Sequence, residues 1–130
     1  MGEKSYVVEL SETDRLRFHI SMDHNVINSV VIQYETEING RYCPIVRYDT
    51  AHGFFHRDIM APDGTEIAKD FVAFFATKEA IDFAYKDLRY NWRQYREAFK
   101  WLGKVRLKCG LLSRTTLNAE SILHSLFLAI

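Results

Sequence analysis

Cysteine and proline are scarce in this 130-residue sequence, with two of each, and neither charge is in excess. Cys43 and Cys109 lie far apart and have no CxxC or Cys–His spacing, which argues against a disulfide framework and a structural zinc site. Apolar runs stay short of the about 20 residues that span a bilayer. The acidic first residues lack the continuous apolar core of a signal peptide. These absences predict a soluble, cytoplasmic protein with reduced thiols and no membrane partner.

Motifs of the commonest enzyme classes are also missing. The chain has no P-loop, GxGxxG, HExxH, GxSxG or paired-glutamate motif. Their absence argues against nucleotide-binding proteins, zincins and hydrolases, and no cofactor is predicted.

The zero net charge hides an uneven distribution. Residues 1–70 carry 12 acids and 7 bases, whereas residues 71–130 carry 5 acids and 10 bases. The basic half suits an anionic partner, and the two halves could equally neutralise each other within the fold.

The length and the 48% hydrophobic content predict one domain over residues 1–130. Residues 1–71 read as mostly β, because short β-branched and alternating runs are separated by turn residues. Asn39-Gly40 predicts a tight hairpin, and Pro44 predicts an edge or a bulge in the strand that follows. We expect an antiparallel meander of four or five strands, drawn from Val7–Leu10, Leu16–Ile20, Val30–Thr36, Arg41–Asp49, Phe54–Met60 and Glu66–Phe71.

After the strands, the apolar period changes from two to 3.6. Residues 77–102 predict a long helix, from Lys78 to Leu102, with Thr77 as its N-cap and Gly103 just past its end. Its apolar face comprises Ile81, Tyr85, Leu88, Trp92, Tyr95, Phe99 and Leu102. Residues 103–130 form an apolar tail, in which Leu117–Ile130 predicts a short helix that docks on the sheet or in a homodimer interface. The predicted fold class is α+β.

The side chains best suited to catalysis lie close together in one predicted hairpin, Arg47–Asp58, with the sequence RYDTAHGFFHRD. Alternate strand residues share a face, so His56 and Asp58 point one way, and Asp49 can lie across from His56. A carboxylate beside an imidazole orients the ring for acid–base catalysis.

The catalytic interpretation assigns a role to each polar residue of this hairpin. His52 and His56 would be acid and base, Asp49 would orient them, and Arg47 and Arg57 would bind phosphate. In the structural alternative, Asp49 and His52 cap the turn and Arg57 pairs with an acid across the sheet. A metal site of His52, His56 and either Asp49 or Asp58 is conceivable, but a turn and a strand do not bring two such nitrogens together as a helix would. No metal is therefore predicted.

The predicted helix carries a basic stripe beside its apolar face. Arg89, Arg93 and Arg96 could follow a nucleic-acid backbone, and Tyr90 and Trp101 could stack on bases. The alternative is a solvated face with intrahelical pairs, such as Asp82 with Lys86 and Arg93 with Glu97.

The hairpin motif, the PDGT turn at Pro62–Thr65 and the helix segment DLRYNWRQYR at Asp87–Arg96 resemble a family of small, uncharacterised prokaryotic proteins. More distantly, the layout is similar to TumE-like toxins of prokaryotic toxin–antitoxin pairs. That similarity implies a toxin directed at RNA or translation, with an antitoxin-like protein partner. The first functional hypothesis is thus a toxin-like, metal-independent ribonuclease-like domain. The alternative is a non-catalytic module that binds a protein or a nucleic acid.

Overall fold

The computed structural model describes residues 2–108, with side chains through residue 104. Six strands pair in chain order into one antiparallel sheet, and one long helix follows them. The elements are β1 (Gly2–Glu9), β2 (Asp14–Asp23), β3 (Val26–Ile38), β4 (Arg41–Asp49), β5 (Phe55–Met60), β6 (Glu66–Ala73) and α1 (Lys78–Lys108). The predicted α+β class is confirmed.

The strand count is six instead of four or five. All six candidate runs form strands, and the polar stretch between β2 and β3, which the sequence left unassigned, closes a hairpin. His24 and Asn25 both adopt positive φ, 50° and 64°, as a two-residue primed turn requires. A His-Asn pair is a weaker turn signal than Asn-Gly, so the sequence did not reveal this hairpin. At the predicted hairpin, Asn39 and Gly40 have φ of 53° and 79°.

Pro44 lies in an inner strand and coincides with a bulge. The register between β3 and β4 shifts after Tyr34, so that Glu35 pairs with Pro44 and Ile45 is the extra residue. A bulge accommodates a residue that has no backbone N–H to donate to the ladder.

Helix α1 begins where the sequence predicts and ends later. The Ala80 N–H donates to Thr77 Oγ1 at 3.1 Å, which confirms the N-cap. The predicted end at Leu102 is wrong, because α1 runs through Gly103 to Lys108. Gly103 does not end the helix, and it instead allows α1 to lie close to the turn between β5 and β6. A Cβ atom at this position would lie 3.3 Å from Pro62 Cγ, in the turn between β5 and β6.

One face of the sheet packs against α1, and this interface is the core. The helix contributes the predicted stripe, with Leu88, Trp92 and Tyr95 deeply buried. The sheet contributes alternate residues of its strands, among them Leu16, Phe18, Ile32, Tyr34, Tyr48, Phe55 and Ile59. Within residues 2–108, no helix combines the length and apolar character needed to cross a bilayer. The predicted tail helix, Leu117–Ile130, lies outside the described residues.

Candidate functional site

The β4–β5 hairpin divides the predicted site between two faces of the sheet. We call the face opposite α1 the open face. Asp49 pairs with His56 and Arg47 with Asp58, and these four side chains lie on the open face. Arg57 lies on the other face, where its guanidinium donates to the Tyr95 hydroxyl of α1 at 2.9 Å. The alternation expected from a strand is therefore observed.

His56 is fully buried between two carboxylates. Its Nε2 lies 2.9 Å from Asp49 Oδ1 and 3.2 Å from Asp58 Oδ2. Its Nδ1 lies 3.2 Å from the Phe54 carbonyl oxygen. A carbonyl can only accept, so the tautomer that makes this hydrogen bond carries its proton on Nδ1. In that tautomer a neutral ring presents an unprotonated Nε2 to both carboxylates, and a proton or a cation between these atoms would remove the repulsion.

The two carboxylates have different supporting partners. Asp49 Oδ1 accepts from the Ala51 N–H at 3.0 Å, which is the turn-capping contact that the structural alternative predicts. Asp58 Oδ1 is buried and accepts no hydrogen bond from the described residues. Lys69 Nζ lies 3.6 Å from that oxygen, close enough for ionic attraction but beyond hydrogen-bonding distance.

His52 lies beside this cluster without joining it. Its ring centroid is 5.4 Å from that of His56, and its side chain is exposed on the turn. The ligand atoms that converge within 4.8 Å of one another belong to Asp49, His56 and Asp58. The metal site weighed from the sequence had two histidines and one aspartate as ligands. The fold instead brings one histidine together with both aspartates.

The two hairpin arginines have structural partners. Arg47 Nε donates to Gln33 Oε1 at 2.9 Å, on the open face. Arg57 pairs with Asp70 on the adjacent strand β6, in addition to its bond to Tyr95. Arg57 therefore makes the cross-sheet pair of the structural alternative, and it cannot share a phosphate with His56 from the opposite face.

The arginines of α1 lie on the far side of the sheet from His56. Arg89 donates to the Tyr85 hydroxyl at 2.9 Å, and the Arg93 guanidinium lies 4.4 Å from the Trp92 ring centroid. Arg96 turns inward and donates to Asp14 Oδ2 at 3.0 Å. One nucleic-acid strand could not contact this stripe and the His56 cluster at the same point.

Sequence reasoning missed an aromatic patch on the open face. The patch consists of Phe54, Phe71 and Phe74, with ring centroids 5.9 Å apart for the first two and 5.0 Å for the last two. Phe54 also contacts His56, at 5.2 Å between centroids. Phe71 and Phe74 are 56% and 73% exposed, which is unusual for such large apolar side chains.

A cavity of about 480 Å³ adjoins the patch. It lies between the β2–β3 turn and the connection from β6 to α1, and its lining includes Asn25, Asn28, Phe54, Phe74, Phe75 and Lys78. The lining thus combines aromatic rings, amide groups and one ammonium group.

A family model described as "Domain of unknown function (DUF7718)" matches residues 1–104. The chain belongs to this family. No curated protein and no solved structure matches the chain. The predicted membership of an uncharacterised family is confirmed for this DUF7718 domain. Its prokaryotic origin and its similarity to TumE-like toxins stay predictions.

The DUF7718 domain also contains two buried polar networks that the sequence did not reveal. Asp14 accepts from the hydroxyl of Tyr34, and Asp87 accepts from the hydroxyls of Tyr48 and Tyr95, all at 2.6 Å. A signal for these networks was present in the sequence, because tyrosines occupy strand and helix positions that face the core. A buried tyrosine hydroxyl needs a hydrogen-bond partner.

Proposed function

We propose that this DUF7718 domain binds single-stranded RNA on its open face, with bases stacked on the aromatic patch. The observation that carries the proposal is the contact of Phe54, Phe71 and Phe74 in one exposed surface. Base–aromatic stacking contributes about 1–3 kcal/mol per base and accepts any base, because every base has a π face. Single-stranded RNA, unlike a duplex, has bases free to stack in this way.

The adjoining cavity supplies the polar contacts that stacking lacks. Asn25 and Asn28 carry amides that can donate to and accept from a base edge, and Lys78 can contact a phosphate. The volume of about 480 Å³ falls within the range of about 300–1,000 Å³ typical of small-ligand sites, and one nucleotide is a ligand of that size. Patch and cavity together therefore suit a short stretch of RNA.

Binding of a fluorescein-labelled oligopyrimidine tests this proposal. We expect Phe71→Ala and Phe74→Ala each to weaken binding by about 5- to 140-fold, the equivalent of about 1–3 kcal/mol. Fluorescence anisotropy at fixed salt measures the dissociation constants. Both side chains are exposed, so circular dichroism should show an unchanged fold.

The matched control is Tyr90→Ala, since Tyr90 is 70% exposed on α1, away from the patch. We expect this variant to bind like the wild type. If Tyr90→Ala weakens binding and the phenylalanine variants do not, RNA lies along the helix and the proposed surface is wrong. If the wild type binds no RNA, the proposal is wrong.

The predicted ribonuclease-like activity is a second candidate, supported by the position of His52. His52 is exposed beside the patch, whereas His56 has no exposed surface and both of its nitrogens are engaged. Of the two predicted imidazoles, His52 is therefore the one positioned to meet a substrate. The toxin-like role and the antitoxin-like partner rest only on the similarity to TumE-like toxins, and both stay predictions.

RNA cleavage in the presence of a chelator tests the metal-independent activity. We expect His52→Ala to lower the cleavage rate by about 10²- to 10⁴-fold, the usual contribution of one acid–base group. His19→Ala is the control, because His19 is an exposed histidine on β2, three strands away from β5 in the sheet. Activity that survives in His52→Ala contradicts the role of His52, and activity that the chelator abolishes contradicts the metal-independent assignment.

A further inference from the structure

We propose that Asp49, His56 and Asp58 form a binding site for one divalent transition-metal ion. One imidazole nitrogen and two carboxylate oxygens converge here within 4.8 Å of one another, and the tautomer of His56 that donates to the Phe54 carbonyl turns an unprotonated Nε2 toward both carboxylates. A cation at their centre removes the repulsion among the three acceptors. This inference rests on the cluster alone and is independent of RNA binding.

Two of the three separations between ligand atoms fit a metal ion, and the carboxylate oxygens of Asp49 and Asp58 lie within 4.8 Å of each other. Zinc bonds to histidine nitrogen and carboxylate oxygen are about 2.0–2.2 Å long, so neighbouring ligand atoms lie about 2.9 Å apart in octahedral and about 3.3 Å apart in tetrahedral geometry. His56 Nε2 lies 2.9 Å from Asp49 Oδ1 and 3.2 Å from Asp58 Oδ2. A cation can therefore enter with small side-chain movements.

A proton satisfies this cluster less completely than a metal ion does. A doubly protonated His56 offers one N–H toward the two carboxylates and leaves Asp58 Oδ1 buried with no hydrogen bond from residues 2–104. A metal ion accepts one lone pair from each of the three side chains, and its positive charge also attracts the second oxygen of Asp58. The side chains of all three ligands are at least nine-tenths buried, so water cannot easily compensate.

The surrounding contacts are those that orient metal ligands. Histidine ligands commonly donate their other N–H to a backbone carbonyl, as His56 does to Phe54, and this fixes the coordinating nitrogen. The Ala51 N–H donates to Asp49 Oδ1, the same oxygen that faces His56, and holds that carboxylate in place. One nitrogen and two carboxylate oxygens favour a cation of intermediate softness, and the order of affinities predicts Zn²⁺ above Mn²⁺ and Mg²⁺.

Lys69 gives the proposal its sharpest test. Its ammonium lies 3.6 Å from Asp58 Oδ1 and competes with a metal ion for the same negative charge. We expect Lys69→Met to bind Zn²⁺ more tightly than the wild type does. A tighter complex cannot result from partial unfolding, so this variant separates a metal site from a purely structural ion cluster.

The experiment is isothermal titration of the metal-stripped full-length protein with Zn²⁺, followed by the metal content of the dialysed complex. We expect one tightly bound Zn²⁺ per chain. His56→Gln and Asp58→Asn should each weaken binding by at least about 10- to 100-fold, the cost of losing even an outer-shell partner. His24→Gln, in an exposed His–Asp contact with Asp23, is the control and should leave binding unchanged.

Two results would overturn the proposal. One is a wild-type protein that takes up no Zn²⁺. The other is uptake that persists in Asp58→Asn, and that Lys69→Met does not strengthen, since the ion would then lie elsewhere on the chain.

Discussion

As pH rises past 10, the free energy of unfolding should fall with a slope that approaches about 4 kcal/mol per pH unit. Burial, together with nearby Asp14 or Asp87, raises the pKa of Tyr34, Tyr48 and Tyr95 well above the usual value for tyrosine. The folded state therefore keeps three protons that the unfolded chain releases. Each such proton contributes about 1.4 kcal/mol per pH unit.

The sign and the pH window follow from the raised pKa values. Below about pH 10 the three tyrosines are protonated in both states, so their contribution to stability is fully present. As pH rises further, ionisation favours the unfolded chain and stability is lost. Urea unfolding between pH 8 and pH 11 measures the slope.

Two phenylalanine substitutions define how this slope should respond. Tyr34→Phe removes one of the three buried phenols and should reduce the slope by about one third. Tyr90→Phe removes an exposed phenol and should leave the slope unchanged. A flat profile up to pH 11 would contradict the assignment.

Replacement of Asp14 by alanine should cost about 3–5 kcal/mol of stability. Asp14 is fully buried and accepts hydrogen bonds from Ser11, Thr13, Tyr34 and Arg96. Its loss leaves the Arg96 guanidinium without this acid partner, and the Tyr34 hydroxyl without its acceptor. A domain of this size is stable by about 5–15 kcal/mol in total, so the variant should lose a large share.

Urea unfolding at pH 7 measures this loss, and Glu12→Ala is the control. Glu12 is the exposed carboxylate two positions away, and its replacement should change stability by less than about 0.5 kcal/mol. A loss below about 1 kcal/mol in Asp14→Ala would show that the network contributes little.

Acid unfolding gives an independent readout of Asp14. Burial by itself raises the pKa of this carboxyl, but hydrogen bonds from Ser11, Tyr34 and other donors outweigh burial and lower it. The stability that Asp14 contributes is thus present above about pH 4 and is lost as pH falls through the lowered pKa. Asp14→Ala should have a flatter acid limb than the wild type.

The sequence predicts features that depend on near neighbours along the chain. The apolar repeat from Ile81 to Leu102 gives α1, and alternation along β5 separates His56 from Arg57. Asn39-Gly40 gives a hairpin because few residue pairs tolerate positive φ at both positions. Each of these signals lies within about one helix or one strand pair.

Contacts between segments that are far apart along the chain could not be predicted from the sequence. Arg96 meets Asp14 across 82 positions of the chain, and Tyr48 meets Asp87 across 39. Spacing places an arginine on a helix face, but it does not say which strand that face will meet. The burial of His56 likewise depends on the whole sheet, which brings β4 and β5 together and places Phe54 against the imidazole ring.

The chain order of the strands also bears on how the protein emerges from the ribosome. Each strand can pair with the one made just before it, so the sheet can grow hairpin by hairpin during translation. The apolar face of the sheet nevertheless stays unpacked until the 31 residues of α1 have been made. Their synthesis takes about 2–6 s at about 5–20 residues per second. During those seconds the nascent chain exposes Ile32 and Phe55 to solvent, and chaperones that capture such surfaces have their opportunity to act.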